Sequence, residues 1–341
     1  MKIPSCINRL RACFASLFVV VALGSCGSIY DEEGDCTPQY RLTFRYDMNM
    51  KYADAFAHEV KSLALYVFNE DGIFVKSYTE NDETLLKEGY HMPVDLPAGS
   101  YRYVVWGGLN GKNKSYKVPD MKPGVSRIEE LTCSMNLQRE KDEALPYVAE
   151  IDPLYHGMGS FVLPEAEGVH TVNIPLTKDT NVIRVVLQNL SGENLDPRKF
   201  RFTITDDNSV LKFDNSLSPA GNIAYRPFSV GGGKADIEGG VAGSAITTVL
   251  AEFTVGRLLK EHSERAVLTI TDEKGEKILS IPLIDYVLLV KGKYNEALSD
   301  QEYLDRQDEY NLVFFLDDRG SWISSQIIIN GWKVVLNDVE L

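Results

Sequence analysis

Cysteine, histidine and tryptophan are scarce in this 341-residue sequence, at five, five and three copies, and 49 acidic residues outnumber 35 basic ones. Each shortage excludes something. His58, His91, His156, His170 and His262 are scattered without metal-ligand spacing. There is no His-Glu-x-x-His, no Gly-x-Ser-x-Gly and no phosphate-binding loop, so no base, nucleophile and orienting group assemble into a catalytic set. The sequence reads as a non-enzyme, with no metal, no cofactor and no small-molecule substrate. A net charge of −14 and the lack of any Lys/Arg block exclude nucleic acid as a partner, because its phosphates repel such a chain. Asp206-Asp207-Asn208 lacks the ligand series of a calcium loop and reads as a polar turn. Tyr155-His156-Gly157 has no nucleophile nearby and reads as a turn packed on the fold. Long apolar runs are missing too. The most apolar later stretch, residues 281–290, is interrupted by Pro282 and Asp285 and falls short of the roughly 20 residues a transmembrane helix needs.

What is present begins at residue 1. Lys2, Arg9 and Arg11 form a basic start, and residues 12–23 are an uncharged, mostly apolar run ending in small residues, the layout of a secretory signal. Directly behind it stands Leu23-Gly24-Ser25-Cys26. The small Gly24 and Ser25 let a peptidase reach the bond between Ser25 and Cys26, and the Cys26 thiol can form a thioether to diacylglycerol. The expectation is a lipoprotein whose only attached group is covalent lipid on Cys26. Each buried methylene contributes about 0.8 kcal/mol, and two or more chains make anchoring stable where one is marginal. Removing residues 1–25 takes away three basic residues and no acidic ones, moving the charge to −17. Cys6 and Cys13 leave with the signal. Cys36 and Cys133 remain in an oxidising compartment, either as a disulfide or as separate thiols with Cys133 buried.

Residues 26–39 read as a polar tether carrying Asp31, Glu32 and Glu33. Tyr40, Leu42, Phe44 and Tyr46 then alternate with Arg41, Thr43, Arg45 and Asp47, which predicts a half-buried strand. Residues 63–68 are continuously apolar, and the turn Asn69-Glu70-Asp71-Gly72 joins them to a second strand as a hairpin. Short strands and turns continue in this way, which predicts an all-β, sandwich-type architecture. A boundary near residues 164–168 divides an N-terminal domain, 40–165, from a C-terminal one, 166–341. Residues 171–176 open the second strand series. Gly231-Gly232-Gly233 and Gly239-Gly240 read as a flexible excursion, and Asp272-Glu273-Lys274-Gly275 as another hairpin turn. Ser299-Asp300-Gln301-Glu302 has the form of a helix capping box.

Several segments in order carry a resemblance. They are Cys36-Thr37-Pro38, Leu42-Thr43-Phe44-Arg45-Tyr46-Asp47-Met48-Asn49, Leu65-Tyr66-Val67-Phe68-Asn69-Glu70-Asp71-Gly72, Leu96-Pro97-Ala98-Gly99-Ser100-Tyr101, Val105-Trp106-Gly107, Leu154-Tyr155-His156-Gly157 and Ile327-Ile328-Ile329-Asn330-Gly331-Trp332. Together they resemble the FimB-type fimbrial anchor (fimbrillin-associated assembly) lipoproteins of type V fimbriae. The resemblance implies two transthyretin-like β-sandwich domains on a lipid tether at the outer membrane. It also implies a role at the base of the fimbria, holding the fibre of fimbrillin to the cell and limiting its length. Fibre subunits of this class polymerise by strand exchange after an arginine-directed protease removes their first strand, a form of β-augmentation.

Residues 27–40 contain no Arg and no Lys, so such a protease has no site ahead of the first strand. Near the other end, Trp332, Val334 and Leu336 alternate on one face, the pattern of a strand that docks into a neighbouring subunit or of an internal edge strand. Two rival readings share the acidic, lipidated, all-β description: a surface glycan-binding lipoprotein and a fimbrial tip adhesin. The first needs exposed aromatic platforms, whereas Trp106, Trp322 and Trp332 all sit in or beside strand patterns.

Overall fold

The computed structural model describes residues 37–81, 85, 87, 89–189, 194–236, 245–292, 295–317 and 319–335. A first run of strands comprises β1 (Gln39–Met48), β2 (Ser62–Asn69), β3 (Phe74–Asn81), β4 (Met92–Val94), β5 (Gly99–Gly107), β6 (Tyr116–Lys117), β7 (Thr132–Met135), β8 (Tyr147–Val148), β9 (Tyr155–Leu163) and β10 (Val169–Lys178). A second comprises β11 (Thr180–Asn189), β12 (Arg201–Asp206), β13 (Val210–Lys212), β14 (Ile223–Tyr225), β15 (Ser229–Asp236), β16 (Ala245–Gly256), β17 (Val267–Thr271), β18 (Lys277–Pro282), β19 (Glu309–Leu316), β20 (Trp322–Ile329) and β21 (Trp332–Val335). Among the described residues, α-helix is confined to α1 (Phe56–Glu59), α2 (Leu283–Leu288) and α3 (Asp300–Arg306), and no helix is long and apolar enough to cross a membrane. The protein is all-β.

The first sheet has the order β3-β2-β5-β9-β10-β1-β4. Its middle is a corner. β9 and β10 share only the pairs Thr177↔His156 and Lys178↔Tyr155, then separate. The four strands on one side of that corner therefore face the three on the other across a shared core. Leu63, Leu65, Val67, Tyr103 and Val105 come from one side, and Tyr40, Leu42, Phe44, Tyr46, Ile174 and Leu176 from the other. On β3, Lys76 Nζ and Tyr78 OH reach the Asp95 carboxylate just after β4, at 2.8 and 2.7 Å, and bring the sheet's two edges together. Phe68, Val104 and Trp106 point out of this sandwich into a second core. Burial on both faces is why residues 63–68 read as a continuous apolar run.

That second core belongs mainly to the C-terminal half. A six-stranded sheet, β15-β16-β11-β19-β20-β21, packs on a five-stranded one, β18-β17-β12-β14-β8. The halves share strands: β8 pairs in parallel with β14, and β6 and β7 join β13 in a small third sheet. Residues 171–176, expected to open the second series, lie in β10, which runs parallel to β1 within the first sheet. The change of sheet falls at Asp179 instead. Gly231-Gly232-Gly233 is not an excursion but the middle of β15, an edge strand paired with β16. Its glycines permit close neighbours, since a Cβ on Gly233 would stand 2.9 Å from Thr248 Oγ1. Gly239 and Gly240 lie outside the described residues. Tyr155-His156-Gly157 begins β9 and is a strand, not a turn. Half of the expected capping box is present: the Ser299 hydroxyl accepts a hydrogen bond from the Glu302 backbone N–H at 3.0 Å and starts α3, while the Glu302 carboxylate accepts from Arg306.

Candidate functional site

The two ends of the folded chain carry the features that bear on assembly. β1 is an inner strand, parallel to β10 over seven consecutive pairs from Gln39↔Val169 to Arg45↔Pro175 and antiparallel to β4 from Tyr40↔Val94 to Leu42↔Met92. Its alternation delivers Tyr40, Leu42, Phe44 and Tyr46 to the core, all at most 6% exposed. Each such side chain contributes about 2 kcal/mol by burial. The strand is also pinned at both ends. At the start, Gln39 N–H donates to the Gly168 carbonyl (2.8 Å) and Tyr40 OH to the Pro164 carbonyl (2.7 Å). At the finish, Tyr46 N–H donates to Asp54 Oδ1 (3.0 Å), and Arg306 Nη1 on α3 reaches the carbonyls of Asp47 (3.2 Å) and Asn49 (3.4 Å). Arg41 and Arg45, the first basic residues after Arg11, lie within this ladder.

At the other end, β21 is the outermost strand of the six-stranded sheet, and no described strand pairs with its outer edge. Trp332 and Val334 share a face, as their spacing predicts, opposite the fully buried Ile329 and Ile327. That face is therefore the core side of the sheet at its uncovered margin. Val334 packs partly against the core, and Trp332 is 62% exposed. Leu336 lies outside the described residues. Of the other tryptophans, Trp106 is fully buried with its ring 4.6 Å from that of His156, and Trp322 is partly buried and meets Phe314 edge-on at 5.8 Å.

The titratable groups singled out in the sequence are structural in their surroundings. His156 Nε2 lies 2.9 Å from the Phe213 carbonyl, and burial holds its pKa down at about 4. Asp207 pairs with Arg265, while Asn208 accepts from Tyr225 OH at 2.6 Å and donates to the Arg257 carbonyl at 3.0 Å. These are loop-to-core braces. No cluster of three metal-ligating side chains occurs among the described residues.

A polar network that sequence reasoning missed sits where the halves meet. Arg257 makes a two-pronged pair with Asp305 (2.9 and 2.8 Å) and faces the buried Asp179 at 3.7 Å. Lys178 Nζ bonds Glu59 of the first half at 3.1 Å and Asp308 of the second at 2.6 Å. Their sequence separations, 119 and 130 positions, left no local signal. Of the cysteines, Cys133 is buried on β7 with a free thiol whose pKa burial pushes up. Ser25, Cys26 and Cys36 lie outside the described residues.

Comparison with known proteins gives a consistent result. The family model for fimbrillin-A associated anchor proteins Mfa1 and Mfa2 matches residues 32–338. The minor fimbrium anchoring subunit Mfa2 of Porphyromonas gingivalis is 24% identical over 97% of this chain and 98% of its own length. Among solved structures, a candidate adhesin from Bacteroides thetaiotaomicron superposes with a TM-score of 0.79 at 32% identity, covering 88% of this chain and 99% of that one. The fimbrial anchor protein Mfa2 from Porphyromonas gingivalis superposes with a TM-score of 0.63 at 18% identity, over 89% of this chain and all of its own, a likeness of fold. Matched across nearly all of its length, the chain belongs to the family of fimbrillin-A associated anchor proteins Mfa1 and Mfa2.

Proposed function

We propose that this protein is the outer-membrane, lipid-anchored base of a fimbria, which holds the fibre to the cell and limits its length. The observation that carries the reading is the position of β1. Strand-exchange assembly needs each subunit to accept a strand in a groove and to offer one to its neighbour. Here the groove between β10 and β4 is filled by the chain's own β1, hydrogen-bonded on both sides. No Lys or Arg precedes it from Gly27 to Tyr40, and Arg41 and Arg45 are held in the ladder, where a protease cannot draw them into its cleft. Such a subunit accepts nothing and ends the fibre. It can still contribute its open C-terminal edge, with Trp332 and Val334 on the docking face, to the first fimbrillin. A surface glycan-binding role is less well supported, because Trp106 is fully buried, Trp322 is partly buried against the core, and Trp332 is the one exposed tryptophan.

The test is Cys26→Ala, which removes the lipid acceptor and leaves both sandwiches unchanged. An acidic domain has no other attraction to an anionic surface. Fimbriae should still assemble but move from the cell fraction to the medium, measured as the fimbrillin ratio between the two with fibre length by electron microscopy. An unchanged ratio, with the mutant stable and exported, would rule out the anchor.

A further inference from the structure

We propose that β1, the continuous chain of β10 and β11, and β19 form a spine that carries tension between the cell and the fibre in shear. The proposal rests on the anchor reading for where force enters and leaves. Its geometry stands on strand directions alone.

The chain enters the fold at Gln39, at the end of the N-terminal sandwich remote from the joint between the halves. β1 then runs toward that joint, where Arg306 of the second half reaches the Asp47 and Asn49 carbonyls. A pull on the tether therefore draws β1 lengthwise, away from the joint. Opposing it is β10, parallel to β1 over seven consecutive pairs, whose far end passes through the single residue Asp179 into β11. β11 is in turn parallel to β19 over eight consecutive pairs, from Val182↔Glu309 to Asn189↔Leu316. From β19 the chain continues into β20 and β21. β21 starts beside Ile329, near the joint, and runs away from it, so the docking edge points to the opposite end of the molecule.

In both parallel ladders the pulled strand and its holding neighbour are loaded from opposite ends. All the hydrogen bonds of a ladder are then strained together, whereas strands pulled apart from adjacent ends lose their bonds one at a time. The β1 ladder is shielded from water by Tyr40, Leu42, Phe44 and Tyr46. At the joint, Lys178 ties the two ladders together through Glu59 and Asp308.

Single-molecule force spectroscopy on the purified, unlipidated mature chain tests this. One handle is attached ahead of Thr37 and the other at the C-terminus, so that β1 is sheared. In a second form the C-terminal handle moves to Glu167→Cys, in the connection from β9 to β10 whose Gly168 carbonyl accepts from Gln39, so that the same ladder is unzipped. Glu167 is exposed, and the change leaves the core untouched. The force that releases β1, identified by the contour length of the N-terminal sandwich, should be at least about threefold higher in shear, because seven rungs yield together. Equal forces in the two geometries, or β1 peeling away as a low-force event when the ends are pulled, would overturn the spine. No membrane or fibre is present, so this outcome is independent of whether Cys26→Ala sheds fimbriae.

Discussion

Asp179 has too few partners for its burial. It is 1% exposed, Asn215 donates to its Oδ1 at 2.8 Å, and its Oδ2 has no hydrogen-bond partner. Arg257, which would satisfy it, is already engaged by Asp305 in a two-pronged pair. Burial therefore outweighs the guanidinium and raises the Asp179 pKa to about 7, and burial does the same to Asp206. A carboxyl whose pKa is higher folded than unfolded holds its proton only in the native state between about pH 4 and 7. Stability contributed by that proton is lost as pH rises through this window. His156, lowered to about 4, acts in the opposite sense below its ordinary pKa, but it is one group against two. Asp179→Asn should flatten the decline by up to about 4 kcal/mol, measured by urea unfolding at pH 4.5 and 7.5. A mutant with the full wild-type decline would exclude Asp179 as its source. Cys133 should resist maleimide in the native protein and react only on denaturation, since burial both hides the thiol and disfavours the thiolate. The tryptophans should divide as their exposures do. Trp106→Ala should destabilise by about 3–5 kcal/mol as a core truncation, whereas Trp332→Ala should change stability by less than about 1 kcal/mol and act on fimbrillin capture instead.

Strands with their own local signal were legible before the fold was known. Alternation from Tyr40 to Asp47 became β1, and the turn glycines Gly72 and Gly275 take φ of 75° and 81°, which their hairpins require. What could not be read is partner choice. Residues 171–176 look like any half-buried strand, and nothing in them says that they pair with a strand some 130 positions earlier. Gly231-Gly232-Gly233 misled because backbone pairing needs no side chain. At the β21 edge, the shared face of Trp332 and Val334 was legible, but its lying on the core side at an outer margin depends on sheet order. The β9–β10 corner offers a test. A Cβ on Gly157 would stand 2.7 Å from the Pro175 carbonyl oxygen, which is backbone and cannot swing away, whereas one on Gly159 would meet the tip of the Tyr103 ring. Gly157→Ala should lower stability by about 1–3 kcal/mol and by more than Gly159→Ala, read as melting temperature. Equal losses would mean that the close approach of β9 to β10 is not what fixes the corner.

The two sandwiches are joined by shared strands, and Phe68, Val104 and Trp106 of the first enter the core of the second, so the chain should unfold as a unit in denaturant rather than half by half. Coincident transitions of the buried Trp106 and of far-ultraviolet circular dichroism would bear this out, and two separated transitions would refute it. The proposed tether offers a separate test. Gly34→Arg places a basic residue where residues 27–40 have none, and it should make the protein cleavable and shed by an arginine-directed protease without altering its fold. The proposed export would add a demand of its own. The first strand to reach the new compartment is β1, yet Thr43 Oγ1 bonds the carbonyl of Val172, 129 positions later in the chain. Until β10 has crossed, β1 has only β4 to pair with, and the other edge of its backbone has no ladder partner. Pairings this distant in sequence form slowly and leave unpaired strands open to aggregation meanwhile. On the proposed export route, the arrangement that seals the finished fold would thus make its opening segment, for the time that translocation takes, a client for chaperones.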